Sequence, residues 1–132
     1  MMAAALPSEA GRRAMQVRHG ALVKLIWGGY LVAAANELCV PLGLCHASGP
    51  TRNVRGVAAD SLTARAHRAR AIACYCVHIY GGLPQTAVAQ ALGVNRRSIC
   101  YAVQNIENER DDATFDAMIE RVARAVAGEA AP

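Results

Sequence analysis

The chain has 132 residues, 54% hydrophobic and 18% charged, with a formal net charge of +4. That balance fits one domain with a modest core and excludes a highly charged, disordered tail. Aromatic residues make up only 5%, too few for the stacking platforms that grip single-stranded nucleic acid.

Much of the apolar content is alanine, which favours helix, so an all-α fold is expected. The charge is unevenly spread. Residues 1–106 hold eleven Lys/Arg against three Asp/Glu, a balance of +8, whereas residues 107–132 hold three against seven, a balance of −4. A basic body followed by an acidic segment points to a polyanion-binding face and a separate solvated helix. Five cysteines (Cys39, Cys45, Cys74, Cys76 and Cys100) form no C-x-x-C pair. With no secretory signal pattern, reduced thiols in a cytoplasmic protein are expected. The longest apolar run, Leu25 to Ala35, is shorter than the roughly 20 residues of a membrane helix.

In chain order, residues 1–12 contain Pro and Gly without periodicity, and a flexible N-terminus is expected there. Residues 13–127 are expected to form a single helical domain, followed by a flexible tail at 128–132. From Arg13 to Leu38 the spacing predicts a helix in which Gly28 and Gly29 either introduce a break or allow a close contact. Trp27 and Tyr30, flanking the glycines, are expected as core anchors. Pro41 ends this helix, and the Gly, Pro, Ser and Asn cluster after it reads as a loop or short helical turn. A helix is predicted from Ser61 to Tyr80, stopped by Gly81 and Gly82. A short helix follows from Pro84 to Leu92, with proline in its first turn. Asn95 is suited to cap a helix running from Arg96 to about Arg110, and a last helix is predicted over Thr114 to Ala127.

The segment Gly82 to Glu107 carries the chemistry. Val88 and Leu92 share one face of the short helix; Ile99, Val103 and Ile106 recur at helical spacing in the next. Gly93 supplies a tight turn and Val94 a plug for the corner. Together these predict a helix-turn-helix spanning about residues 84–110, with the second helix offered outward. Its outer face would hold Arg96, Arg97, Cys100, Tyr101, Gln104 and Asn108. An α-helix fits the major groove of B-DNA, where arginine pairs with guanine and Gln or Asn with adenine. Ser98 and the helix N-terminus can hold a phosphate. Arginines in a first turn oppose the helix dipole, which favours an outside anion as their partner. Upstream, Arg65, His67, Arg68 and Arg70 form a second basic group suited to phosphate or minor-groove contact.

The stretch from about Arg65 to Ala125 resembles the C-terminal DNA-binding domain of the bacterial replication initiator DnaA. "HRARAIA" resembles that family's arginine approach, with Arg68 at its minor-groove arginine, and "VAQALG" resembles its turn helix. "NRRSI" falls on the Asp-His-Thr-Thr-Val recognition motif, placing Asn95, Arg96, Arg97 and Ser98 at the reading positions. Because those residues differ, the resemblance implies a different target sequence. No phosphate-binding Gly-x-x-x-x-Gly-Lys loop is present, so the resemblance implies a stand-alone, nucleoid-associated regulator of transcription or replication and not a full initiator. Double-stranded DNA is the expected partner, with a homodimer or the transcription or replication machinery as further partners.

Neither an enzyme nor a cofactor is expected. Cys74 and Cys76, two apart on a helix, point away from each other, and Cys74, His78, Cys39, Cys45 and His46 match no usual zinc spacing, so no metal is expected. The rival reading is a protein-interaction module docking through the apolar N-terminal helix.

Overall fold

A computed structural model describes residues 8–47 and 60–128, with the side chains of residues 14–17 and of Ala47 outside that description. Among the described residues the protein is all-α: α1 (Glu9–Glu37), α2 (Leu42–Ala47), α3 (Leu62–Ile79), α4 (Gln85–Leu92), α5 (Arg96–Glu109) and α6 (Ala113–Ala127). The expected flexible ends at residues 1–7 and 129–132 lie outside the described residues.

The first helix begins earlier than its apolar spacing indicated. Ser8 caps it, its hydroxyl accepting from the Gly11 amide at 3.1 Å. Glu9 lies in the first turn, where the helix dipole favours an anion, and pairs with Arg13 one turn on. Residues 9–12 are therefore helical, against the expectation of fraying. The glycines do not break α1. A Cβ on Gly29 would meet only the Val126 side chain, at 3.9 Å, and one on Gly28 would meet nothing. The helix ends in a left-handed residue that is not glycine: Cys39 has φ 53°, and the Val40 amide closes the turn onto the Ala35 carbonyl at 3.0 Å.

The central element is α3. Ala66 and Ala69 are buried in its first half, and Ile72, Ala73, Cys74, Tyr75, Cys76 and Val77 are buried in succession. A helix buried all round has neighbours on every side. Here α1, α2, α4, α5 and α6 all pack against it. Alanine and cysteine at most of these positions let the surrounding helices approach closely. Val23, Trp27, Tyr30, Leu31 and Ala34 of α1 complete the core with Phe115, Met118, Ile119 and Val122 of α6. Trp27 and Tyr30 are thus core residues, as expected. No polar or charged residue is buried among the described residues.

Burial also sets a pH limit. It pushes the Cys74 thiol up to about 11, although Trp27 and Arg70 oppose the shift. Burial likewise pushes Cys76 up to about 12. A thiol whose folded pKa exceeds its unfolded value of 9.0 stabilises the fold below that value and ceases to do so as pH rises through the folded one. Unfolding free energy should therefore be insensitive to these thiols below pH about 8.5. Between pH 9 and 11 it should fall, because the unfolded thiols ionise before the folded ones. Urea titrations across that range check this, and Cys76→Ala should make the decline shallower.

Candidate nucleic-acid interface

Local chemistry builds the turn between α4 and α5. Pro84 opens α4 with its restricted φ, and Gly93, at φ 67° and ψ 32°, closes it in the left-handed region that favours glycine. The Val94 amide donates to the Ala89 carbonyl at 3.0 Å, which turns the Val94 side chain inward against the core. Asn95 then caps α5, its Oδ1 accepting from the Arg97 amide at 2.9 Å. A short helix, a three-residue turn and a capped second helix are therefore present where the spacing predicted them. Ile99, Ala102 and Ile106 of α5 are buried, with Val103 half-buried.

The opposite side of α5 is polar. At about 100° per residue, the line facing away from the buried stripe runs through Arg97, Tyr101, Gln104 and Asn108. Arg96 and Cys100 lie to one side of it. All six are exposed, Tyr101 by 60%. Neither the Arg96 nor the Arg97 guanidinium makes a hydrogen bond or an ion pair among the described residues. Ser98 is half-buried beside them. The amide oxygen of Asn95 is already engaged in the cap, which leaves its NH2 group for any outside acceptor.

The acids of α5 sit at its other end and are engaged there. Glu107 accepts from the Tyr75 hydroxyl, and Glu109 pairs with Arg68. The helix thus has a free basic start and an anchored acidic finish.

The upstream arginines are placed differently from the expectation of groove or phosphate contact. Arg65 donates through its terminal nitrogen to the Leu38 and Cys39 carbonyls, both at 3.0 Å, capping the C-terminus of α1. The Arg68 guanidinium, paired with Glu109, also stacks over the Phe115 ring at 4.7 Å. Arg70 donates to the Cys45 carbonyl at 3.1 Å and lies 5.2 Å from the Trp27 ring centroid. All three guanidinium groups serve packing, because α3 is enclosed by helix ends and aromatic faces that accept them. The structure brings Asn95, Arg96, Arg97, Ser98, Tyr101 and Gln104 together on α5; it does not add Arg65, Arg68 and Arg70 to that surface.

One residue that spacing did not single out organises this region. Arg110, the C-cap of α5, donates to Asp116 Oδ1 at 2.6 Å and Glu120 Oε1 at 2.7 Å. It also donates to the Tyr75 and Tyr80 hydroxyls at 3.0 and 2.9 Å. It thereby ties the far end of α5 to α3 and α6. Burial, with the hydrogen bond to Glu107, pushes the Tyr75 hydroxyl up to about 12, so it stays protonated as a donor to that carboxylate. The available signal was an arginine followed by acids at positions 116 and 120, six and ten residues on.

Among the described residues, no three His, Cys, Asp or Glu side chains are grouped as for a metal ion. His78 is engaged through Nδ1 with the Leu83 carbonyl at 2.7 Å. No described helix is long and apolar enough to cross a membrane. No family model matches the chain, and neither the curated proteins nor the solved structures contain a significant match.

Proposed function

We propose that the protein is a sequence-specific double-stranded DNA-binding regulator of transcription or replication that offers α5 to the major groove. In this reading it acts in the manner of the DnaA C-terminal domain that residues 65–125 resemble. The observation that carries it is the pair of guanidinium groups, unpartnered among the described residues, on the first turn of an outward-facing helix. Cations there oppose the helix dipole and have no ion-pair partner among the described residues, so an anion outside the protein is their natural counterpart. Arg97, Tyr101 and Gln104 face base edges, and Arg96, a quarter-turn aside, reaches a phosphate. Arg65, Arg68 and Arg70 act in this scheme as supports for the helices behind α5, not as DNA contacts.

Titration of the full chain with duplexes of random sequence, followed by selection of the bound fraction, tests the reading. Affinity should fall steeply with added salt, with a log–log slope of about −3 or steeper if at least three or four phosphates are engaged. Absence of duplex binding at low salt, or a flat salt response, would favour the docking-module reading instead. That rival draws on a separate observation, the exposed Leu22, Leu25 and Val32 on α1.

A further inference from the structure

The first half of α1 differs from the rest of the helix. Val23 is its first buried residue among the side chains described, so residues 9–20 extend past the core as an arm of about 18 Å. The arm carries Arg12, Arg13 and Arg18, with Lys24 one turn beyond, against the single acid Glu9. Arg13 pairs with Glu9, whereas Arg12, Arg18 and Lys24 make no ion pair among the described residues. Outside α5 this is the largest group of unpaired cations in the described structure.

An open groove of about 690 Å³ separates α1 from α4 here. Arg13, His19 and Lys24 line it from α1, Gln90 and Ala91 from α4, and no acid lines it among the described residues. Arg13 and Lys24 are three helical turns apart to within about 20°, so they share one side of α1 at a spacing of about 16 Å. Gly20 lies on the same line between them. A Cβ there would meet nothing within 4 Å, which leaves the floor between the two cations open.

We propose that this groove holds the phosphate backbone of the duplex whose bases α5 reads. The inference rests on the DNA-binding reading and extends its contact surface from α5 to α1. Two cations about 16 Å apart on an open floor suit an extended polyanion, whose strand carries one charge per roughly 3.4 Å of axis, better than a single small anion. The location agrees. From Ala91 on the groove wall the chain reaches Arg96 in five residues, at most about 18 Å, or about half a turn of B-DNA. One duplex therefore spans both places. The need agrees as well: phosphate contacts supply much of the affinity for DNA, and Arg65, Arg68 and Arg70 are engaged within the protein. The Arg13–Glu9 pair is an exposed pair one turn apart, which costs little to exchange for a phosphate.

Titration of the full chain with a selected duplex at several salt concentrations tests the proposal. Lys24→Ala should weaken binding about tenfold at 0.1 M salt and reduce the log–log salt slope by about 0.9. Adding Arg13→Ala should bring the reduction to about 1.8, with base preference unchanged. Both side chains are exposed and alanine favours helix, so circular dichroism should stay the same. Arg18 is the control: it removes the same charge from a side of α1 about 120° away from Lys24, and Arg18→Ala should leave the slope unchanged. A wild-type chain that binds duplexes, with a double variant of equal affinity and slope, would overturn the groove and leave the α5 reading standing. Equal losses from Lys24→Ala and Arg18→Ala would assign the effect to overall charge and overturn it too. A wild-type chain with no duplex binding would remove both readings.

Discussion

Replacing Arg110 by alanine should lower the unfolding free energy by about 2–4 kcal/mol, read from urea or thermal unfolding at neutral pH. Its guanidinium side chain is only 17% exposed, and it joins Tyr75 of α3 and the C-cap residue Tyr80 to Asp116 and Glu120 of α6. Its removal leaves two tyrosine hydroxyls and two carboxylates short of a donor in one place, a network effect larger than any single pair. The two acids are about two-fifths exposed, so water screens them and keeps the loss below that of a fully buried ion pair. Arg110→Lys should recover only a minor part, since an ammonium cannot present the planar fork that reaches four acceptors at once. Arg121 offers the control. It bonds Glu37 at the surface, and Arg121→Ala should leave the unfolding midpoint nearly unchanged. A similar response from the two alanine variants would mean that Arg110 is only another surface pair.

The second large effect concerns binding. The double substitution Arg96→Ala with Arg97→Ala should weaken duplex binding by about 2–4 kcal/mol, from one bidentate base contact and one phosphate contact. Stability should hardly move, because both residues are exposed and neither guanidinium makes a hydrogen bond or ion pair among the described residues. The single variants should separate the two roles. Arg96→Ala should weaken all duplexes alike and reduce the salt slope by about 0.9. Arg97→Ala should relax preference at one base pair. Fluorescence titration at moderate salt distinguishes these outcomes. Unchanged affinity in a folded double variant would remove the basis for placing α5 in a groove.

The local elements were legible in the chain because their chemistry is short-range. Ser61, Asn95 and Asp112 each cap a helix through their own side chains, and Gly93 closes α4 in a conformation that favours glycine. The period of Ile99 and Ile106 told which side of α5 is covered. At the start of α1 the same short-range chemistry is present, Ser8 as cap with Glu9 in the first turn, but the nearby Pro7 and Gly11 obscure it in the sequence. The basic group on α3 shows the opposite difficulty. Arg65, Arg68 and Arg70 are as cationic in sequence as Arg96 and Arg97. Nothing within six residues reveals that their partners are the end of α1, Glu109 with the Phe115 ring, and the Cys45 carbonyl with Trp27.

What the amino-acid order determined by itself was the all-helical class, the positions of the caps and turns, and the presence of two cationic clusters. Those properties follow from backbone preferences and periodicity acting over a few residues. Which cluster faces water was decided only by the tertiary structure, because long arginine side chains stay exposed or become engaged according to the carbonyls, acids and rings that distant helices bring within reach. The same holds for Leu22, Leu25 and Val32 of α1. Their spacing is written in the chain, but their exposure depends on where the other helices pack.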